Sequence, residues 1–269
     1  MTTPRLLLGL SFLLLATVGS PLRAQTSPPP AVPPQTTVIE DVFVPVPTEI
    51  FATLDRFSNS NWRAVQRPEL ATWKPRGDQT KIALLLGAVI AEGFIAVEAT
   101  DATEVREIGR AVLTLSRGLG VEKWAIRRSR SIMDASGQEH WAAVRKEWDA
   151  VMPDVQEGMK ALKSEQLAQL VSLAGWLRGA EALTALVLQN YTAADAELLR
   201  QPVMLEEFEK QLAAMNNNIR SKPAVARMRK GITRLRVLLP PEGEQISREK
   251  LKAVGGICTD LLGSLKTRG

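Results

Sequence analysis

Two long apolar runs, each interrupted by isolated charge, constrain this chain more than any other feature. Residues 82–97 (IALLLGAVIAEGFIAV) carry one charge, Glu92, and residues 167–188 (LAQLVSLAGWLRGAEALTALVL) carry two, Arg178 and Glu181. Apolar side chains cover nearly every side of both helices, so neither offers a solvent face. Each charge in the middle of a membrane span costs roughly 2.5–3.5 kcal/mol even on the lenient insertion scale. Both runs therefore read as central helices of a globular bundle. Gly87 and Gly93 in the first run, and Gly175 and Gly179 in the second, are places where backbones can approach closely.

From Thr48 onward the apolar period is helical almost throughout, which predicts an all-α, multi-helix bundle around these two helices. Thr48 is placed to cap a helix through Leu54 and Phe57. Residues 58–77 are irregular, with Pro68, Pro75 and Gly77 as breakers and Trp62 and Trp73 as core plugs. Asp78, Asp101, Ser164, Thr192, Ser221 and Ser247 read as helix caps. A longer helix with Trp141, Val144, Trp148, Val151, Val155, Met159 and Leu162 on one face is expected to kink at Pro153. Each apolar helix carries an internal glycine, a later glutamate, a capped turn and a second amphipathic helix. A duplicated helical hairpin is one reading of that echo.

The isolated charges are the sharpest residues in the sequence. A lone carboxylate in an apolar helix must be paired, protonated or turned to a cavity, because desolvating its ionised form is costly. Arg178 and Glu181 are three apart and share a helix face. If the two apolar helices are neighbours, Glu92 reaches Arg178. Glu92, Arg178 and Glu181 are thus either the polar floor of a ligand-binding pocket or an interhelical salt bridge that fixes register.

Other chemistry is limited by what the chain lacks. His140 is the only histidine and Cys258 the only cysteine, so the usual zinc and di-iron ligand sets cannot be assembled. No phosphate loop, dinucleotide fingerprint or nucleophile elbow is present. No cofactor and no metal are expected, and no enzyme class gains support. Cys258 sits on an apolar helical stripe with Leu261 and is expected to be buried, with no intrachain disulfide. Most of the six tryptophans fall at helical spacing and belong to a core.

Charge is most lopsided near the C-terminus, where Arg220, Lys222, Arg227, Arg229, Lys230, Arg234 and Arg236 occur with no acid among them. Lys123, Arg127, Arg128 and Arg130 form a second basic run on a helix at about 122–133. These faces suit an anionic lipid, a cell-wall polymer or an acidic envelope protein. The bland alternative is a solvated surface partly neutralised by Glu206, Glu207 and Glu209.

The N-terminal segment bears on which partners are plausible. Arg5, the uncharged run Leu6–Gly19 and the small residue Ala24 follow the order of a secretory signal, with cleavage expected near Ala24. Residues 25–37 hold five prolines and read as a solvated tether, followed by an extended arm to residue 47 whose Pro45 and Pro47 exclude a central strand. The expected organisation is a signal at 1–24, tether and arm at 25–47, and a helical domain at 48–269. Loss of Arg5 and Arg23 lowers the formal charge from +5 to +3. A periplasmic or secreted location makes nucleic acid an unsuitable partner.

The strings Leu86-Gly-Ala-Val-Ile-Ala-Glu-Gly-Phe94, Leu119-Gly-Val121 and Ala174-Gly-Trp-Leu-Arg-Gly179 resemble a pattern in exported helical proteins of Bacteroidetes and related bacteria, many of them lipoproteins. The resemblance spans roughly residues 80–215 and implies export and a helical fold, but no activity. The lipid-anchor cysteine of those proteins is missing here. The expected function is a non-enzymatic, envelope-associated module that binds a partner or a small apolar or anionic ligand. A purely structural periplasmic protein is the alternative, and a hydrolase using Glu92 is a distant third.

Overall fold

The computed structural model describes residues 36–39, 42–45, 53–75 and 77–266. The signal segment and its cleavage point, proline-rich residues 25–35 and the Thr48 cap lie outside these residues. The arm is a small antiparallel ribbon of β1 (Thr36–Ile39) and β2 (Val42–Pro45), with Thr36 opposite Pro45 and Ile39 opposite Val42. Pro45 ends its ladder, where a missing N–H disrupts no central pairing.

The remainder is an all-α bundle. Its longer helices are α1 (Gln79–Glu98), α2 (Ala102–Gly118), α3 (Glu122–Gly137), α4 (Trp141–Asp149), α5 (Val151–Ala161), α6 (Glu165–Gln189), α7 (Pro202–Ala214), α8 (Pro223–Leu238) and α9 (Arg248–Gly263). Short helical turns at Trp62–Val65, Glu69–Thr72, Ala193–Ala196, Glu197–Leu199 and Asn217–Arg220 connect them. One continuous apolar core runs from Phe57 to Leu265.

The two apolar helices, α1 and α6, are the centre of this core and pack on each other more extensively than any other pair. By length and composition alone either is apolar enough to cross a membrane, yet 89% and 72% of their most apolar windows are buried in the fold. Their crossing point is made by glycine. A Cβ on Gly87 would stand 1.9 Å from the Val171 carbonyl oxygen, and one on Gly175 would stand 3.4 Å from the Gly87 oxygen. The helices therefore meet backbone to backbone, which only a residue without a side chain permits. Gly93 makes room for the ring of Trp148, whose fully buried indole donates to the Ile90 carbonyl at 3.0 Å. β2 lies along α6.

Four of the expected helix caps are formed. Asp78 accepts from the N–H groups of Thr80 and Lys81, Asp101 from Glu104, Thr192 from Asp195 and Ser247 from Lys250. Three expectations are corrected. The kink at Pro153 is instead a full break at Ala150, with Pro153 in the first turn of α5. Proline cannot donate to the carbonyl four residues back and its ring crowds that carbonyl, so the helix ends at Asp149. Ser164 makes no capping bond; its hydroxyl turns back to the Leu162 carbonyl at 3.3 Å. Ser221 is not the cap of α8, which starts at Pro223 with Lys222 before it and no side-chain cap.

The two halves share their caps and internal glycines but differ in packing. α1 packs along its successor α2, whereas α6 packs along the last helix, α9. The second half is thus not a closed hairpin of the same kind as the first.

Candidate functional site

The isolated charges of α1 and α6 meet in the core. Arg178 Nε donates to Glu92 Oε2 at 2.7 Å, and the two side chains are 1% and 0% exposed. Arg178 also donates through Nη2 to the Val65 carbonyl, and its Nη1 lies 3.3 Å from Glu181 Oε2. The second Glu92 oxygen accepts from the Arg67 backbone N–H at 2.5 Å. Arg67 then reaches across to Glu181 Oε1 at 2.9 Å, an oxygen that also accepts from the Thr259 hydroxyl of α9 at 2.6 Å.

This network ties α1, α6, α9 and the irregular segment 62–72 together, and its geometry is that of a register-fixing clamp. Arg67 and Thr259 were not singled out in the sequence. One signal did point to a residue such as Arg67: two carboxylates against one guanidinium leave a surplus charge that a dry core does not hold. Glu104 borders the same region and is pushed up to about 7 by burial and then by Glu92, Asp101 and other nearby carboxylates. Its Oε1 is buried and has no hydrogen-bond partner.

Glu92, Arg178 and Glu181 are not in the lining of the main apolar pocket. On other faces of the same two helices, however, lies a cavity of about 160 Å³. Ala91, Phe94 and Ile95 of α1 form one wall, and Gly175, Trp176, Gly179, Ala182 and Leu183 of α6 form another. Met152 and Pro153 of α5, Leu199 and Met204 complete it, with Thr53, Leu54 and Trp62 also in the lining. Gly179 is exposed at its rim, where a Cβ would meet nothing within 4 Å.

The cavity has few polar groups. Ser172 accepts from Gln156 at 2.7 Å and donates to the Ala168 carbonyl at 3.2 Å. Gln201 accepts from the Trp176 indole at 2.6 Å and donates to the Leu198 carbonyl at 3.0 Å. Asp149, the last residue of α4, is the one ionisable group among the described lining residues. Its Oδ1 is shut off from solvent without a hydrogen-bond partner. Burial pushes its carboxyl up to about 6 against the opposing pull of Arg145. Nothing in the sequence marks Asp149, which reads as an ordinary acid at the end of an amphipathic helix.

The basic residues divide. Arg128 is structural, bonded to Glu147 at 2.9 Å and Asp154 at 2.7 Å, so it fastens α3 to α4 and α5. Lys123 lies over the Trp124 ring at 4.0 Å, while Arg127 and Arg130 are exposed. Arg236 pairs with Glu209 at 2.7 Å, and Arg220 bonds locally to Asn217 and the Ala213 carbonyl. Lys222, Arg227, Arg229, Lys230 and Arg234 are exposed and make no ion pair among the described residues. Val237 on the same helix and Val203 on α7 are also exposed.

Cys258 is fully buried, and desolvation, with Glu181 nearby, pushes its thiol up to about 12. His140 is exposed at the start of α4 and makes no capping bond. No group of three or more His, Cys, Asp or Glu among the described residues is placed to hold a metal ion.

What the fold and site define is an all-α bundle with a clamped ionic core and an apolar cavity beside it. No family model matches the chain, and neither does any curated protein or solved structure.

Proposed function

We propose that this protein is an exported, non-enzymatic binding module that holds a small apolar ligand at the cell envelope. The observation that carries the reading is the apolar pocket lined by α1, α5 and α6, which runs from buried Trp62, Phe94 and Ile95 to exposed Gly179 at its rim. An apolar pocket of this kind takes up small apolar molecules, because a bound ligand removes both its own apolar surface and that of the lining from water. The signal-like N-terminal segment supports export, and the exposed cations Arg227, Arg229, Lys230 and Arg234 of α8 supply a surface for anionic envelope components.

The test is binding of benzyl alcohol to the full chain, followed by calorimetry and by the fluorescence of Trp176 and Trp62, which line the cavity. Saturable binding with one site is expected. Ala91→Trp fills the pocket from its α1 wall and should abolish binding while the thermal transition is retained. Absence of saturable binding, or binding that Ala91→Trp leaves intact, overturns the reading.

A further inference from the structure

Where α1 and α8 begin and α9 ends, the surface forms an open cleft that shares no residue with the apolar pocket. α8 and α9 run antiparallel, with Gly231 against Leu261, so the start of one helix lies beside the end of the other. Lys81 from the first turn of α1, Arg227 from the second turn of α8 and Lys266 just past α9 all line this cleft. The sequence groups Arg227 with its neighbours on α8; only the fold brings Lys81 and Lys266 to it.

No carboxylate is among the described lining residues. The three basic side chains make no ion pair or hydrogen bond among the described residues. Two acids stand close by along the chain, and both are outside the lining. Asp78 is engaged at the start of α1, accepting from the Thr80 hydroxyl at 2.6 Å and from the N–H groups of Thr80 and Lys81. Asp260, one turn before Ser264, is exposed. The carbonyls at the end of α9 are spent as well: those of Asp260, Leu261, Leu262 and Gly263 accept from the N–H groups of Ser264, Leu265 and Lys266. A cleft lined by charge of one sign concentrates counter-ions of the other.

We infer that this cleft binds a phosphomonoester. Such a group carries roughly −1.5 to −2 charge near neutral pH and three acceptor oxygens, enough to answer all three cations at once. A guanidinium offers phosphate a planar fork of donors, and an ammonium offers a compact charge. A carboxylate, with one charge and two oxygens, leaves two of the three positive charges unmet. Ser264 supplies no donor, because its hydroxyl proton goes to the Leu261 carbonyl at 2.6 Å, so the cations set the preference. α8 adds to the field: no side chain caps its start, and Ala224 of its first turn is in the lining. A lipid headgroup and a soluble phosphorylated compound share this chemistry.

The experiment titrates glycerol 3-phosphate, lactate and glycerol into the full chain by calorimetry at neutral pH and low salt. Glycerol 3-phosphate should saturate one site and bind at least about tenfold more tightly than lactate, with no binding of glycerol. Lys81→Gln/Arg227→Gln should weaken it at least about tenfold. Lys146→Gln/Lys252→Gln removes as much charge from exposed positions outside the cleft and should leave the affinity unchanged. Both double variants should keep the thermal transition of the parent, and the comparison of ligands on the unaltered chain needs no variant. None of these measurements depends on the apolar pocket.

Flotation with phosphatidylcholine vesicles then separates the two sources, because added phosphatidic acid presents a monoester and added phosphatidylglycerol only a diester. Preferential association with phosphatidic acid, competed by glycerol 3-phosphate and reduced in Lys81→Gln/Arg227→Gln, assigns the lipid headgroup. Binding of glycerol 3-phosphate without vesicle association assigns a soluble phosphomonoester. Equal affinity for lactate and glycerol 3-phosphate, or equal losses in the two double variants, overturns the assignment. So does the absence of saturable glycerol 3-phosphate binding to the unaltered chain.

Discussion

Replacing Arg178 with Met removes the hub of the buried network while keeping much of its volume and its apolar stem. The variant leaves Glu92, 0% exposed, with only the Arg67 N–H as a partner, and it strands the Val65 carbonyl that Arg178 had satisfied. Breaking one member of a buried pair costs about 3–5 kcal/mol, because the remaining charge stays in the core uncompensated. That is a large share of the roughly 5–15 kcal/mol that holds a typical domain together. For a domain of this size it corresponds to a fall in melting temperature of roughly 6–20 °C. Urea denaturation at pH 7.5 measures it directly.

The double variant Glu92→Leu/Arg178→Met removes both charges, and Glu181 keeps Arg67 and Thr259. The two substitutions should therefore be strongly non-additive, with a coupling of at least about 2 kcal/mol. A loss below about 1 kcal/mol, or additive single variants, would refute the claim that this cluster clamps the fold.

Three further outcomes follow from the geometry. Gly87→Ala places a Cβ at 1.9 Å from a backbone oxygen that cannot yield, so α1 and α6 must separate. The gain of about 1 kcal/mol in helix propensity is overwhelmed, and a net loss of at least about 2 kcal/mol is expected in chemical denaturation. Gly179→Ala, in the mirror case, meets nothing and should stabilise by up to about 1 kcal/mol. Glu104 has a folded value of about 7, above its ordinary value, so its contribution is present at acid pH and is lost as pH rises through 7. Glu104→Gln should accordingly match the parent near pH 4.5 and exceed it by about 1 kcal/mol at pH 8, discounted for a half-exposed side chain. Parallel pH–stability profiles for the two proteins would count against the burial argument.

The legible part of this protein was local. Periodicity fixed the helical class, and short polar residues before apolar runs identified four of the caps. The lone charges at Glu92, Arg178 and Glu181 were visible because an ionised group in an apolar helix has so few stable fates. Their pairing followed once α1 and α6 were taken as neighbours. The partners were a different matter. Arg67 sits between chain breakers in a segment without periodicity, and Thr259 is one hydroxyl on an amphipathic helix. Neither carries a local mark of burial.

The two apolar runs with their sparse charges therefore determined, by themselves, that the chain buries a pair of helices and must neutralise what lies on them. Composition and the pattern of apolar residues act along the chain, and one sequence contains all of that information. Whether Arg178 closes a salt bridge or floors a cavity depended on which faces of α1 and α6 touch, and Gly87 and Gly175 set that crossing. The same crossing left the space beside Gly179 unfilled and placed Asp149, from a helix broken by Pro153, at its edge. A cavity is a property of side chains brought together from distant parts of the sequence, so only the tertiary structure could put it there.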